Sequence, residues 1–172
     1  MPSSAVDVRA ARVVAAWCMD SGVEHERTGP GEFAIVLPGE QKLRSTVSVT
    51  VGVNTVVINA FVIRHPDENV GAVHRFLLQR NLSIFGLGYA IDHLGDVFLV
   101  GTLPSAGLNA DDFDRLMGSV LVNADAVFNQ LLELGFASAI RAEWEWRLRA
   151  GESTHNLAAF EHLAPQQPTQ PE

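Results

Sequence analysis

Residues 42–51 alternate almost perfectly between apolar and polar side chains. Leu43, Val47, Val49 and Val51 fall on one side, and Lys42, Arg44, Thr46, Ser48 and Thr50 on the other. Successive side chains of a strand point to opposite faces, so this run predicts a strand with one face on a core and one in water. That half-buried pattern belongs to an antiparallel sheet. Gly52-Val53-Asn54 reads as a hairpin turn, and residues 55–64 return as a second strand of a different kind. Val56, Ile58 and Val62 point one way, while Val57, Phe61 and Ile63 point the other. A strand apolar on both faces is expected to be covered on both, by another element, a second subunit or a partner.

The remaining segments extend this start into an α+β pattern. Residues 5–20 form an amphipathic helix, with Ser3 or Ser4 as its cap and Gly22 at its end. Residues 24–31 are polar, finish in Gly29-Pro30-Gly31 and read as a turn region. Residues 32–37 form a short strand that Pro38-Gly39 stops. After His65-Pro66, Asp67 is placed to cap a helix running to Asn81. Residues 84–92 and 96–103 form a second hairpin through His93-Leu94-Gly95. The longest helix opens at Asn109 or Asp111 and runs to Leu134. Its heptad-like seam holds Phe113, Met117, Val120, Ala124, Val127, Leu131 and Leu134. Gly135 caps it, and helices over 137–150 and 153–163 follow. The expected fold is a two-layer antiparallel sheet with helices, in the order α-β-β-β-α-β-β-α. It forms one domain over residues 1–163, of which 137–163 are a helical C-terminal addition. Residues 164–172 are rich in proline and glutamine and are expected to be disordered.

Composition narrows the choice of partner. The 172 residues carry a net charge of −8. An acidic surface repels phosphate backbones and anionic lipid, so neither nucleic acid nor membrane is expected, and a basic segment of a protein is favoured. The apolar run near the N-terminus is broken by Asp7, Arg9 and Arg12, which does not suit a signal peptide. No run approaches the roughly 20 apolar residues that span a bilayer. A cytoplasmic location is the simplest expectation. Cys18 is the single cysteine, so no disulfide forms within the chain, and its helical setting reads as a small buried apolar residue.

Chemistry-bearing patterns are sparse. His93 lies between Asp92 and Asp96, and with His65 or His74 these could build a small-ligand, metal or acid–base site. The competing reading is a hairpin whose carboxylates bond turn amides. No HExxH, CxxC, GxSxG or phosphate-binding GxxxxGK frame occurs. Gly86-Leu87-Gly88 lacks the third glycine of a dinucleotide fingerprint. Trp144, Trp146, Arg147 and Arg149 make a basic-aromatic patch, but glutamates four residues before both arginines account for them. The expectation is therefore no catalytic residue, no metal and no cofactor. The surfaces expected to meet a partner or second subunit are Val57, Phe61 and Ile63 on the two-faced strand, and Leu121, Val122 and Leu132 beside the seam.

The segments FVIRHPDEN, YAIDHLGDVFLVGTLP, LLELGF and GESTHNLAAF, spread over residues 61–160, resemble the bacterial YbjN-like family of sensory transduction regulators. The resemblance implies a fold similar to type III secretion chaperones, commonly dimeric. Chaperones of that fold bind an extended client segment across their sheet and helix surfaces. The helices of residues 137–163 are additional, and could cover such a surface. The function implied is a non-enzymatic protein-interaction module, chaperone-like or regulatory, acting as a homodimer on a protein partner.

Overall fold

The computed structural model of the chain describes residues 6–165. Six strands form one antiparallel sheet: β1 (Glu24–Gly29), β2 (Glu32–Pro38), β3 (Arg44–Val51), β4 (Thr55–Ile63), β5 (Gly88–Ile91) and β6 (Val97–Pro104). Their spatial order is β1-β2-β3-β4-β6-β5. The register aligns Ile35, Val47, Ala60 and Leu99 across four neighbouring strands, and all four are buried. This row marks the core face of the sheet. Helices α1 (Val8–Ser21) and α3 (Ala110–Asp125) pack on each other, and α3 lies against β3, β4 and β6. Helices α2 (Val70–Arg80) and α4 (Phe128–Ala150) pack together, and α4 reaches β4. The fold is α+β, as the alternating strand pattern requires.

One strand is added to those read from the sequence. Residues 24–29 pair with β2 as an edge strand, although almost every one of them is exposed. With no buried face, β1 shows no hydrophobic alternation. Backbone pairing and the turn at Pro30-Gly31 hold it, with Gly31 at φ 74°.

Helix boundaries shift for local reasons. The cap of α1 is Asp7, whose carboxylate accepts the amides of Arg9 and Ala10, both at 3.0 Å; Ser3 and Ser4 lie outside the described residues. Asp67 does not cap α2. It pairs with Arg64 at 2.6 Å, and α2 starts from Asn69, held at φ 52°. The long seam is buried from Phe113 through Leu131, but the helix carrying it breaks at Ala126–Val127, between α3 and α4. The Asp125 carboxylate there accepts the amides of Gln41 and Lys42, tying the end of α3 to the loop between β2 and β3. Where the sequence suggests a cap at Gly135, α4 continues through a kink, with Phe136 at φ −145°. The amides of Asp67 and Glu68 bond the Gly135 carbonyl, and Glu68 accepts from Ser138.

The C-terminal residues fold back on α4. A 3-10 helix (His155–Leu163) buries Leu157 and Phe160 against Ile140 and Trp144, and the Trp144 indole donates to the Phe160 carbonyl at 3.2 Å. Within the tail expected to be disordered, residues 166–172 lie outside the described residues.

Candidate interaction surface

The outer face of the sheet is open where β4 crosses it. Val57 and Phe61 are 41% and 39% exposed, and Phe61 also forms one side of a groove against α4. Phe61 sits opposite Phe98 of β6, and their rings meet edge to face at 5.6 Å. Around this apolar line, Thr46, Ser48, Thr50 and Asn59 give a small polar surround, all exposed.

Ile63 is not part of that surface. A register shift between Phe61 and Ile63 inserts an extra residue in β4, so Val62 and Ile63 are both buried, Ile63 at 3% exposure. A bulge breaks strict alternation, and the side chain assigned to the outer face rotates into the core. Leu121 is half-buried and Val122 exposed on α3, in the helical layer across the sheet from Val57. Leu132 is half-buried on α4 and lies in a groove with Phe61. The six candidates are therefore not one patch. Val57, Phe61 and Leu132 share a side of the molecule.

That groove has a volume of about 490 Å³ and runs between the end of β4 and α4. Phe61, Phe128, Phe136 and Leu132 line it, together with Ile140 and Leu157 of the C-terminal addition. The addition thus builds one wall of the groove. Two cations reach into it. Arg64 stacks on Phe136 at 4.4 Å while its guanidinium holds Asp67, which lowers the Asp67 carboxyl below its ordinary range. Lys42 enters from the loop between β2 and β3. Its ammonium donates to the carbonyls of Phe61 and of Val62, the latter at 2.9 Å, and lies 5.1 and 5.8 Å from the Phe61 and Phe128 rings. Burial disfavours its charged form and brings its pKa down to about 8.

A further set of exposed apolar side chains went unread in the sequence. Leu82 and Phe85 are 90% and 76% exposed, and Leu78 of α2 and Ile91 of edge strand β5 are exposed as well. Leu78 and Ile91 line a cavity of about 180 Å³ with His74, Leu77 and Tyr89, whereas Phe85 lines a separate groove with Leu103, Leu108 and Leu116. The Tyr89 hydroxyl donates to the Asn123 carbonyl at 2.7 Å, and burial raises its pKa. Exposed leucine and phenylalanine in an irregular segment follow no period, so pattern reading passes over them.

The histidine constellation is spent on the turn. Asp92 accepts the amides of Leu94 and Asp96, both at 2.9 Å, and Asp96 accepts the amide of His65 at 2.7 Å. His93 is exposed, and His74 lies in the Tyr89 cavity. Among the described residues, no group of three or more His, Cys, Asp or Glu is placed to hold a metal ion. Cys18 is fully buried and its thiol pKa is raised by that burial. In the basic-aromatic patch, Trp144 is buried and Arg147 bonds Glu143 at 2.7 Å. Among the described residues, no helix is long and apolar enough to cross a membrane.

The family described as "Putative bacterial sensory transduction regulator", YbjN, matches residues 10–133. An uncharacterized protein of Mycobacterium tuberculosis is 48% identical over 144 residues, covering 83% of this chain and 79% of that protein. An uncharacterized protein of Mycobacterium leprae is 46% identical over 131 residues, covering 76% of this chain and 71% of that protein. Among solved structures, a chain of the ExsC–ExsE complex superposes with a TM-score of 0.54 at 16% identity, over 74% of this chain and 96% of its own. A chain of the complex of the Yersinia pestis type III secretion chaperone SycH with a fragment of YscM2 gives 0.51 at 14%, over 67% and 96%. YbjN from E. coli gives 0.52 at 16%, over 72% and 92%. The chain belongs to the YbjN family, and its fold is that of the type III secretion chaperones.

Proposed function

We propose that this member of the YbjN family is a non-enzymatic interaction module, chaperone-like or regulatory, that acts as a dimer and binds a segment of a protein partner. The observation that carries the reading is the exposed pair Val57 and Phe61 on the outer face of the sheet, with half-buried Phe98 packed beside Phe61. An antiparallel sheet can face water on one side, but large apolar side chains on that side favour a cover. Solved structures of the same fold are complexes of two proteins, as with SycH and YscM2 or ExoU and SpcU. In this reading the dimer contact uses the exposed Leu78 of α2 and Ile91 of β5, which line one cavity away from the outer face of β4. A cytoplasmic location accords with the free, buried Cys18.

The test is affinity capture from the native cell, with mass spectrometry, using wild type and a Val57→Asp, Phe61→Asp double variant side by side. A protein retained by wild type and lost with the variant supports the reading. Identical profiles from both overturn it.

A further inference from the structure

Lys42 is the single lysine of the chain; the other eleven of its twelve basic residues are arginine. Its compact ammonium lies 5.1 Å from the Phe61 ring and 5.8 Å from the Phe128 ring. An ammonium has three N–H groups. Two of them are taken by the Phe61 and Val62 carbonyls. Among the described residues, no carboxylate lies within ion-pair distance of it. The other charges facing the groove are already paired, Arg64 with Asp67 and Glu143 with Arg147. On a chain of net charge −8, this leaves one uncompensated cation at the edge of an apolar groove of about 490 Å³. That volume falls in the range of small-molecule sites, which are mostly apolar with a few placed polar groups.

We propose that this groove binds an aliphatic monocarboxylate, its chain among Phe61, Phe128, Leu132, Phe136 and Ile140 and its carboxylate on the third N–H of Lys42. Charge and shape both select that class. A neutral chain would leave the ammonium uncompensated, and an alkylammonium would meet Lys42 with like charge. A polyanion such as a nucleotide finds a single free cation and few polar groups. Binding would restore an ion pair in a setting where burial weakens the charged amine, so ligand and proton should bind to Lys42 together. This inference goes beyond the protein-partner reading; the groove shares Phe61 with the outer face but takes in neither Val57 nor Phe98, so Val57→Asp alone separates the two.

Because the lysine is unique, one experiment reads it alone. Protein grown with lysine labelled by ¹³C at the ε carbon gives a single lysine correlation in NMR spectra. That signal is followed against pH without ligand, and again with dodecanoate below its micelle concentration, with dodecanol, and with dodecyltrimethylammonium. The expected result is saturable 1:1 binding of dodecanoate and a titration midpoint that moves upward from about 8. Dodecanol and the ammonium should bind at least about tenfold more weakly, the scale of one charge-assisted hydrogen bond. Lys42→Gln should lose about the same factor, and Leu132→Trp, which fills the groove and keeps the lysine, should abolish binding. Equal affinities for dodecanoate and dodecanol, or a lysine signal that none of the probes moves, overturn the proposal. A signal that answers to the peptide acetyl-Leu-Leu-Phe with a free C-terminus, but not to dodecanoate, overturns it in favour of a protein terminus.

Discussion

Glu68 caps the second half of α4 from seventy residues away: one carboxylate oxygen accepts the amide of Ser138 at 2.6 Å and the other its hydroxyl at 3.2 Å. A kink such as that of α4 at Phe136 interrupts the bonds within the helix, and the loop before α2 supplies a partner for the Ser138 amide. The same loop donates the Asp67 and Glu68 amides to the Gly135 carbonyl, at 3.0 and 3.1 Å. Both sides of the break are therefore satisfied from one loop. A side chain at Gly135 has no room, since a Cβ there would stand 2.9 Å from Pro66.

Removing that cap should loosen the C-terminal layer before the sheet. Glu68→Ala is expected to cost about 1–2 kcal/mol, the range of a lost helix cap. Urea unfolding checks the magnitude. Faster amide exchange confined to residues 138–150 locates the effect, and uniform acceleration across the sheet would contradict it.

Phe61 and Ile63 should behave oppositely despite being two residues apart on one strand. Ile63→Ala removes a buried side chain and is expected to cost about 3 kcal/mol. Phe61→Ser removes an exposed ring and its edge contact with Phe98, and should cost about 1 kcal/mol. Guanidinium denaturation of the two variants reads the difference directly.

The amine of Lys42 gives a pH dependence with a definite sign. Its folded pKa of about 8 lies below the ordinary 10.5. Between those values the unfolded chain holds a proton that the folded chain has released, so this group's contribution rises with pH across that window. Below pH 8 the cost of burying the charge is present in full. The stability of wild type minus that of Lys42→Met should therefore be larger at pH 10 than at pH 7, by equilibrium unfolding at both. A difference independent of pH would show that the amine titrates normally.

The dimer contact placed at α2 and β5 predicts a change in mass. Leu78→Asp, at an exposed position on α2, should leave the stability of the monomer fold within about 1 kcal/mol of wild type. Light scattering should report one chain where wild type reports two. Equal masses for the two proteins would move the contact elsewhere.

Much of this was legible in the sequence because it was periodic. The alternation of residues 42–51 gave β3, and the seam from Phe113 to Leu131 is buried as its spacing requires. What escaped was set by contacts distant in sequence. β1 is exposed on both faces and exists through its pairing with β2. The break at Ala126 coincides with Asp125 accepting the amides of Gln41 and Lys42, a contact between residues more than eighty apart. The bulge that buries Ile63 depends on its register with β6. Composition did carry one signal that periodicity could not, a lone lysine among arginines.

The two edges of the sheet have a consequence for how anything long can be recognised. β1 presents Glu24, His25, Glu26 and Arg27 to solvent, and at β5 the side-chain amide of Asn81 bonds both the amide and the carbonyl of Tyr89. Charge guards one rim and a side chain plugs the other, so neither offers a free template for main-chain annealing. An extended polypeptide must then be read by what its side chains place on the face, and its affinity should survive N-methylation of its peptide bonds. The same rims disfavour edge-to-edge pairing between copies of the folded chain.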